Sequence, residues 1–190
     1  MITWDDAKEM QVLGDGLAET ADLASASRAR TSFYADPVAW LVVDALERAL
    51  EQADKRAQAA CAETGVLAVS AYGTRHTMGT IARQVPRGRV SPLRFAGASP
   101  GSLAGLACIV LGFRGPSLLL CMPPETARPV ALSIASNWMT TGLCEYVAVA
   151  EHTVTKNVHT ATEDVGGAVH AVRGWIVQWR GGRASGAGGF

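Results

Sequence analysis

Two short apolar runs constrain the fold of this chain more than any other feature. They are Val66-Leu67-Ala68-Val69-Ser70-Ala71 and Ser117-Leu118-Leu119-Leu120-Cys121-Met122. Each has the length of a buried strand and lacks the strict alternation of a half-solvated one. Each also ends at a chain breaker: Gly73 closes the first, and Pro123-Pro124 closes the second. Helical patterns surround them. From Asp36-Pro37, apolar residues recur at Leu41, Ala45, Leu46, Ala49, Leu50 and Ala53, the spacing of one helical face. Asp36 is suited to accept from a free helix N–H, and Pro37 fits a first helical position. This helix is predicted to run to about Cys61 and to end before Gly65. Ser102–Leu111 reads as a second helix closed by Gly112, and Thr126–Thr141 as a third closed by Gly142. Glu145–Ala150 is a further strand, and Ala168–Arg180 is a strand pair or one bent strand with Gly174 at the bend. Strands alternating with helices predict an α/β layered domain with a mixed, largely parallel sheet.

The remaining segments carry weaker patterns. Gln11-Val12-Leu13 reads as a short strand stopped by Gly14-Asp15-Gly16, and Ala18–Arg30 as irregular or weakly helical. Residues 1–35 therefore form a weakly defined N-terminal segment, 36–182 the α/β domain, and 183–190 (RASGAGGF) a flexible tail. Thr74–Ala82 suggests a helical turn and Arg83–Ser99 a loop rich in Pro and Arg.

Composition narrows the partners. Seventeen Lys and Arg balance seventeen Asp and Glu over 190 residues, so no general field attracts nucleic acid. Only 18% of residues are charged, below the usual quarter, which implies extensive burial, including burial against another subunit. No apolar run reaches the roughly 18 residues of a membrane span. The opening Met1-Ile2-Thr3-Trp4-Asp5-Asp6 has no basic region before an apolar core, so no secretory signal is read. Cys61, Cys108, Cys121 and Cys144 have no CxxC spacing and read as reduced thiols of a cytoplasmic protein. Cys121, inside an apolar strand, is expected to be a buried structural thiol. His159 and His170 have no partners at metal-ligand spacing, and Gly112, Gly115 and Gly142 read as turn positions, not a phosphate cradle. No metal or cofactor is implied. Trp138, Trp175 and Trp179 are assigned to core or interface.

Five stretches, in order, resemble the N-terminal half of β-ketoacyl synthases, the condensing enzymes of fatty-acid and polyketide synthesis. Val90-Ser91-Pro92-Leu93-Arg94-Phe95 resembles their V-S-P-F, and Pro100-Gly101-Ser102-Leu103-Ala104-Gly105 their P-N-x-A-A-G. Leu111-Gly112-Phe113-Arg114-Gly115-Pro116-Ser117 is similar to L-G-L-R-G-P-S, the most specific match. Gly142–Val149 resembles G-x-x-D-x-A-L-A, and Asp164–Val169 echoes G-E-G-A-A. The resemblance covers roughly residues 36–180 and implies one half of a thiolase-like fold, in a truncated ketosynthase-like protein.

The departures from the family matter as much. The family places a nucleophilic cysteine seven residues after the serine of G-P-S, and here that position is Pro124. Proline supplies neither a nucleophile nor the backbone N–H that the family uses to hold the developing oxyanion. The family's two histidines and its lysine belong to a second half that these residues do not include. The segment after Ala150 is also shorter than the family's insertion there.

Two functional readings follow. In the first, the protein is a non-condensing partner, a chain-length-factor-like subunit that engages acyl carrier protein. The resemblance implies that the strand at Ser117–Met122 pairs across a two-fold axis, in a homodimer or in a heterodimer with a ketosynthase. Arg83, Arg87, Arg89, Arg94 and Arg114 concentrate charge in the central region and are candidates to dock the acidic carrier. In the second, the protein remodels a carrier-bound acyl chain by isomerisation, dehydration or cyclisation. Ligands in open α/β sheets tend to bind beyond the carboxyl ends of strands. His76, Glu125 and His152 follow three such ends and would converge there for acid–base chemistry. Against that stands the ordinary behaviour of these groups: loop-end His and Glu are usually solvated, and Glu125 complements a helix N-terminus.

Overall fold

The computed structural model describes Trp4 and residues 9–24, 26, 35–89, 91–156 and 168–181. The elements are β1 (Met10–Thr20), α1 (Pro37–Gln52), α2 (Lys55–Ala59), β2 (Thr64–Ser70), α3 (Arg75–Gln84), α4 (Pro92–Ala98), α5 (Ser102–Leu111), β3 (Ser117–Leu120), α6 (Pro124–Thr140), β4 (Tyr146–Lys156) and β5 (Ala168–Trp179). His159, Ser25 and residues 27–30, the Asp164–Gly167 part of its motif and the tail 183–190 lie outside the described residues, while Ala18–Thr20, expected to be irregular or weakly helical, belong to β1.

One sheet carries the fold, in the order β1-β5-β4-β2-β3. β2 runs parallel to both β3 and β4. β5 runs antiparallel to β4 and to β1, so four strands share a direction and β5 alone opposes them. The sheet is thus mixed, as expected, but not largely parallel: two of its pairings are parallel and two antiparallel, because β5 returns between β1 and β4. α1 and α5 cover one face, over a core that includes Val42, Leu46, Val66, Ala148 and Ile176. α6 covers the other, over Leu67, Val147, Val149 and Val177. Ala127, Ala131 and Ala135 are fully buried beneath α6, and such small side chains let the helix lie close to the strands.

β1 corrects the expected stop at Gly14-Asp15-Gly16. The strand runs through both glycines and pairs with β5 along its length, apart from a register shift between Val12 and Gly14. The sheet therefore begins by Met10, inside the segment expected to be weakly defined. The glycines serve close approach instead of a turn. A Cβ at Gly14 would collide with the Ala49 carbonyl oxygen, and one at Gly16 with that of Ala45. A Cβ at Gly174 would sit 2.9 Å from the same Ala45 oxygen, so Gly174 is a seat for α1 and not a bend. β5 is one continuous strand.

α1 begins as predicted. The Asp36 carboxylate accepts from Val38 N–H at 3.0 Å, and Pro37 occupies the first turn. Every residue from Pro37 to Val43 is buried. The helix ends at Gln52, short of Cys61, because Asp54 caps a separate helix by accepting from Ala57 N–H at 2.8 Å. Arg83–Ser99 is not a loop: α3 continues to Gln84, and Pro92 opens α4. Gly112 and Gly142 close their helices with positive φ, +75° and +77°.

The expectation of a buried strand at Ser117–Met122 is also corrected. β3 has four residues and stands at the sheet edge, with Leu118 38% exposed. Its apolar run marks an open edge. β4 extends beyond the predicted Ala150 to Lys156. No single described helix is long and apolar enough to cross a membrane.

Candidate functional site

Successive residues of a strand face opposite sides of a sheet. Glu151 and His152, adjacent in β4, therefore build two separate polar centres. His152 belongs to the α1 side and is 1% exposed. Its Nδ1 lies 2.8 Å from Ser70 Oγ at the end of β2, and its Nε2 lies 3.1 Å from His170 Nδ1 on β5. The two imidazoles are nearly parallel, with centroids 5.3 Å apart, and Tyr72 meets His152 edge-on.

The partners of Ser70 assign the protons along these bonds. Ser70 Oγ accepts from the backbone N–H of Tyr72 at 3.2 Å and of Gly73 at 2.9 Å. Both hydroxyl lone pairs are then engaged, so the Ser70 proton points to His152 Nδ1. Nδ1 is an acceptor, and neutral His152 carries its proton on Nε2, donating to His170 Nδ1. His170 in turn carries its own proton on Nε2. Burial pushes His152 down to about 4, with the neighbouring His170 adding to the effect. His170 is lowered by burial first and then by His76, against an opposing pull from Asp36. Asp36 is fully buried and joins two helices: it caps α1 and accepts from Thr77 N–H of α3 at 2.9 Å. Thr74 Oγ1 donates to the Ala98 carbonyl at 2.6 Å, tying α3 to the end of α4.

Glu151 belongs to the α6 side and is 3% exposed. Arg128 of α6 grips it with Nε at 2.9 and 3.1 Å and Nη2 at 2.7 Å, and Trp4 Nε1 donates to it at 3.0 Å. This bonding pushes the Arg128 guanidinium further up. A cavity of about 310 Å³ opens beside the pair, lined in part by Trp4, Glu19, Arg173 and Trp175. Arg173 lies over the Trp175 ring at 5.5 Å and pairs with Asp15 at 3.5 Å.

The three predicted catalytic residues do not converge. His76, exposed on α3, and buried His152 lie on the histidine side. Glu125, exposed in the first turn of α6, lies with Arg128 on the other side of the sheet. Ser70, His170, Arg128 and Trp4 complete the two centres and were not among the predicted site residues. The sequence signal for the division was the Glu151-His152 adjacency, read with strand parity.

Pro124, buried, is the first residue of α6 and follows the β3 edge through the elbow. The amides of Thr126 and Ala127 both turn back to the Pro123 carbonyl, at 3.0 and 2.9 Å. Cys121, just past β3, is exposed and not the expected buried thiol, because β3 is an edge strand. The buried thiol is Cys144, which desolvation pushes up to about 11. Arg83, Arg87 and Arg89 are exposed along α3 and the turn after it, and Arg94 is half-buried on α4. Arg114 stands apart, before β3 at the opposite end of the parallel strands, where Gly115 N–H bonds to Thr64 O. Among the described residues, no group of three or more His, Cys, Asp or Glu is placed to hold a metal ion.

The family model for the β-ketoacyl synthase N-terminal domain matches residues 7–163. No curated protein matches the chain in sequence. Among solved structures, the ishigamide ketosynthase/chain length factor is similar with a TM-score of 0.63 at 18% identity, covering 86% of this chain and 49% of that one. The AntDE:AntF complex, a type II polyketide synthase acyl-carrier protein with its ketosynthase bound to the hexaketide, gives 0.64 at 13% identity, covering 91% and 63%. The ketosynthase ApeO in complex with its chain length factor ApeC, from Xenorhabdus doucetiae, gives 0.60 at 12%, covering 92% and 80%. At such identities the likeness is one of fold. The chain spans about half the length of the first of these and 63% of the second.

Proposed function

This chain belongs to the family of β-ketoacyl synthase N-terminal domains, and on that premise we propose that it is a non-condensing, chain-length-factor-like partner in polyketide or fatty-acid assembly. Pro124 carries the reading. Counting from Gly115-Pro116-Ser117, it stands where the family's motif has its nucleophile, at the first position of α6. Its ring offers no attacking atom and no N–H to an oxyanion. The open edge supports the partner role. Leu118 on β3, Val110 on α5 and Phe95 on α4 are exposed, and Ile109 is 82% exposed. Large apolar side chains left open around the free edge of a sheet are the mark of a surface that another chain covers. The occupant is a second copy of this chain or a ketosynthase. The arginines along α3 and the following turn offer positive charge to an acidic acyl carrier protein.

The test incubates the purified protein with a ketosynthase and with acyl-loaded carrier protein, read by intact-protein mass spectrometry and light scattering. A complex with no acyl adduct on this chain is expected. An acyl adduct on this chain overturns the reading and directs attention to Cys121.

A second reading, acid–base remodelling of a carrier-bound acyl chain, draws on the grouping of His76 with His170 outside buried His152. It predicts an altered acyl group on the carrier with no covalent protein intermediate, abolished when His76 and His170 are both replaced by Ala. An unchanged acyl group removes it.

A further inference from the structure

We propose that Ser70, His152 and His170 form an acid-sensitive clasp that fastens the α3–α4 arm to the sheet. The chain of bonds accepts no additional proton. Protonated His152 would present an N–H from Nδ1 to Ser70 Oγ, whose two lone pairs are already held by Tyr72 and Gly73 N–H. Protonated His170 would present an N–H from Nδ1 to His152 Nε2, which already carries the donated proton. Turning His152 to its other tautomer only moves the conflict back to Ser70. With both rings neutral, every polar atom along the chain between the two amides and His170 Nδ1 is satisfied. Protonation at either ring breaks one link.

The link that matters mechanically is Ser70. It holds the amides of Tyr72 and Gly73, the turn from β2 into α3. Beyond that turn, α3 is tied down by Asp36 through Thr77 N–H and by Thr74 Oγ1 on the Ala98 carbonyl. The titratable groups that face the clasp are His170 from β5, His76 from α3, Asp36 from the start of α1 and Tyr72 from the turn itself. A charge on His170 opposes a proton on His152; His76 opposes one on His170, and the Asp36 carboxylate favours it. The arm so fastened carries Arg83, Arg87, Arg89 and Arg94. The clasp stands on its own geometry. Its consequence for docking rests on the carrier-binding reading given above.

The experiment follows amide hydrogen exchange and histidine nitrogen chemical shifts of the full chain between pH 7 and pH 5. At pH 7, His152 should show the tautomer protonated at Nε2 and bare at Nδ1. Protection of the Tyr72 and Gly73 amides, corrected for intrinsic exchange, should fall roughly tenfold or more by pH 5, as expected when a proton is taken up preferentially on opening. His152→Gln should remove most of that pH dependence. If this variant does not fold, the tautomer in the unaltered protein decides. A proton on His152 Nδ1, or protection unchanged between the two pH values, overturns the clasp. Binding of acyl carrier protein, compared between the unaltered chain and His152→Gln at both pH values, separates the two ideas. If protection falls and binding does not respond, the clasp stands and the docking role of the arm fails.

Discussion

Arg128 reaches from α6 to hold the carboxylate of Glu151 bidentately, with Trp4 Nε1 completing the shell from 147 residues away in sequence. The pair joins helix, sheet and N-terminal segment at one buried point. A buried carboxylate that loses its partner keeps its desolvation cost and loses the compensation. Arg128→Ala is therefore expected to destabilise the fold by about 3 kcal/mol, read from urea unfolding. Adding Glu151→Gln should recover part of that loss. A loss below about 0.5 kcal/mol for Arg128→Ala would place the pair among the weak surface bridges.

Stability should fall in mild acid. His152 is held to about 4 when folded, against an ordinary value near 6.5. The unfolded chain thus binds the proton first. The stabilisation is complete above about pH 6.5 and is lost progressively as the pH falls toward 4, on the order of 1.4 kcal/mol per pH unit for one proton. Urea midpoints across this range check the slope, and His152→Gln should flatten it.

The glycines of β1 should resist the smallest enlargement. Gly16→Ala drives a methyl group into the Ala45 carbonyl of α1, and backbone cannot step aside as a flexible side chain can. A loss of about 1–3 kcal/mol is expected from such overpacking. Gly105→Ala, on α5 with open space around the added carbon, serves as the control and should cost little.

The open edge should govern association without governing folding. Ile109→Glu and Leu118→Lys place charge on exposed positions of α5 and β3. Light scattering should show loss of the dimer or of the ketosynthase complex, while the melting temperature of the isolated chain stays within a few degrees. A complex that survives both substitutions would move the interface elsewhere.

Docking should discriminate among the arginines by position. Reversal of Arg83, Arg87 and Arg89 to Glu is expected to weaken carrier binding at least tenfold at low salt, with the effect fading as salt rises. Arg114→Glu, at the other end of the strands, should leave it unchanged. Equal losses from both sets would point to overall charge and not to a defined surface.

Local chemistry was largely legible in the sequence, and long-range pairing was not. Asp36-Pro37 announced the start of α1, and Ser102–Leu111 with Gly112 gave α5 to the residue, because caps and helical stops act within one turn. Gly14 and Gly16 were misleading because a glycine demanded by a crossing helix looks the same as one demanded by a turn. The Leu run of β3 was misleading for a related reason: apolar composition does not tell a strand inside a sheet from one at its edge. The candidate site suffered most. Glu125 follows β3 and His152 lies within β4, and the face each serves depends on parity and on which helix lies opposite. His170 reaches His152 only because β5 returns antiparallel beside β4. No spacing rule encodes that contact.

The elbow before α6 has a consequence for stoichiometry. A helix start ordinarily gathers amide hydrogens that can steady a negative charge. Here the first position is a proline, and the amides of Thr126 and Ala127 are turned back onto Pro123. In a pair that joins this chain to an intact condensing enzyme, one elbow would be open to an acyl group and the other sealed by a pyrrolidine ring. Such an assembly has two halves of similar shape and a single reaction centre, so it would take one acyl chain per pair instead of two.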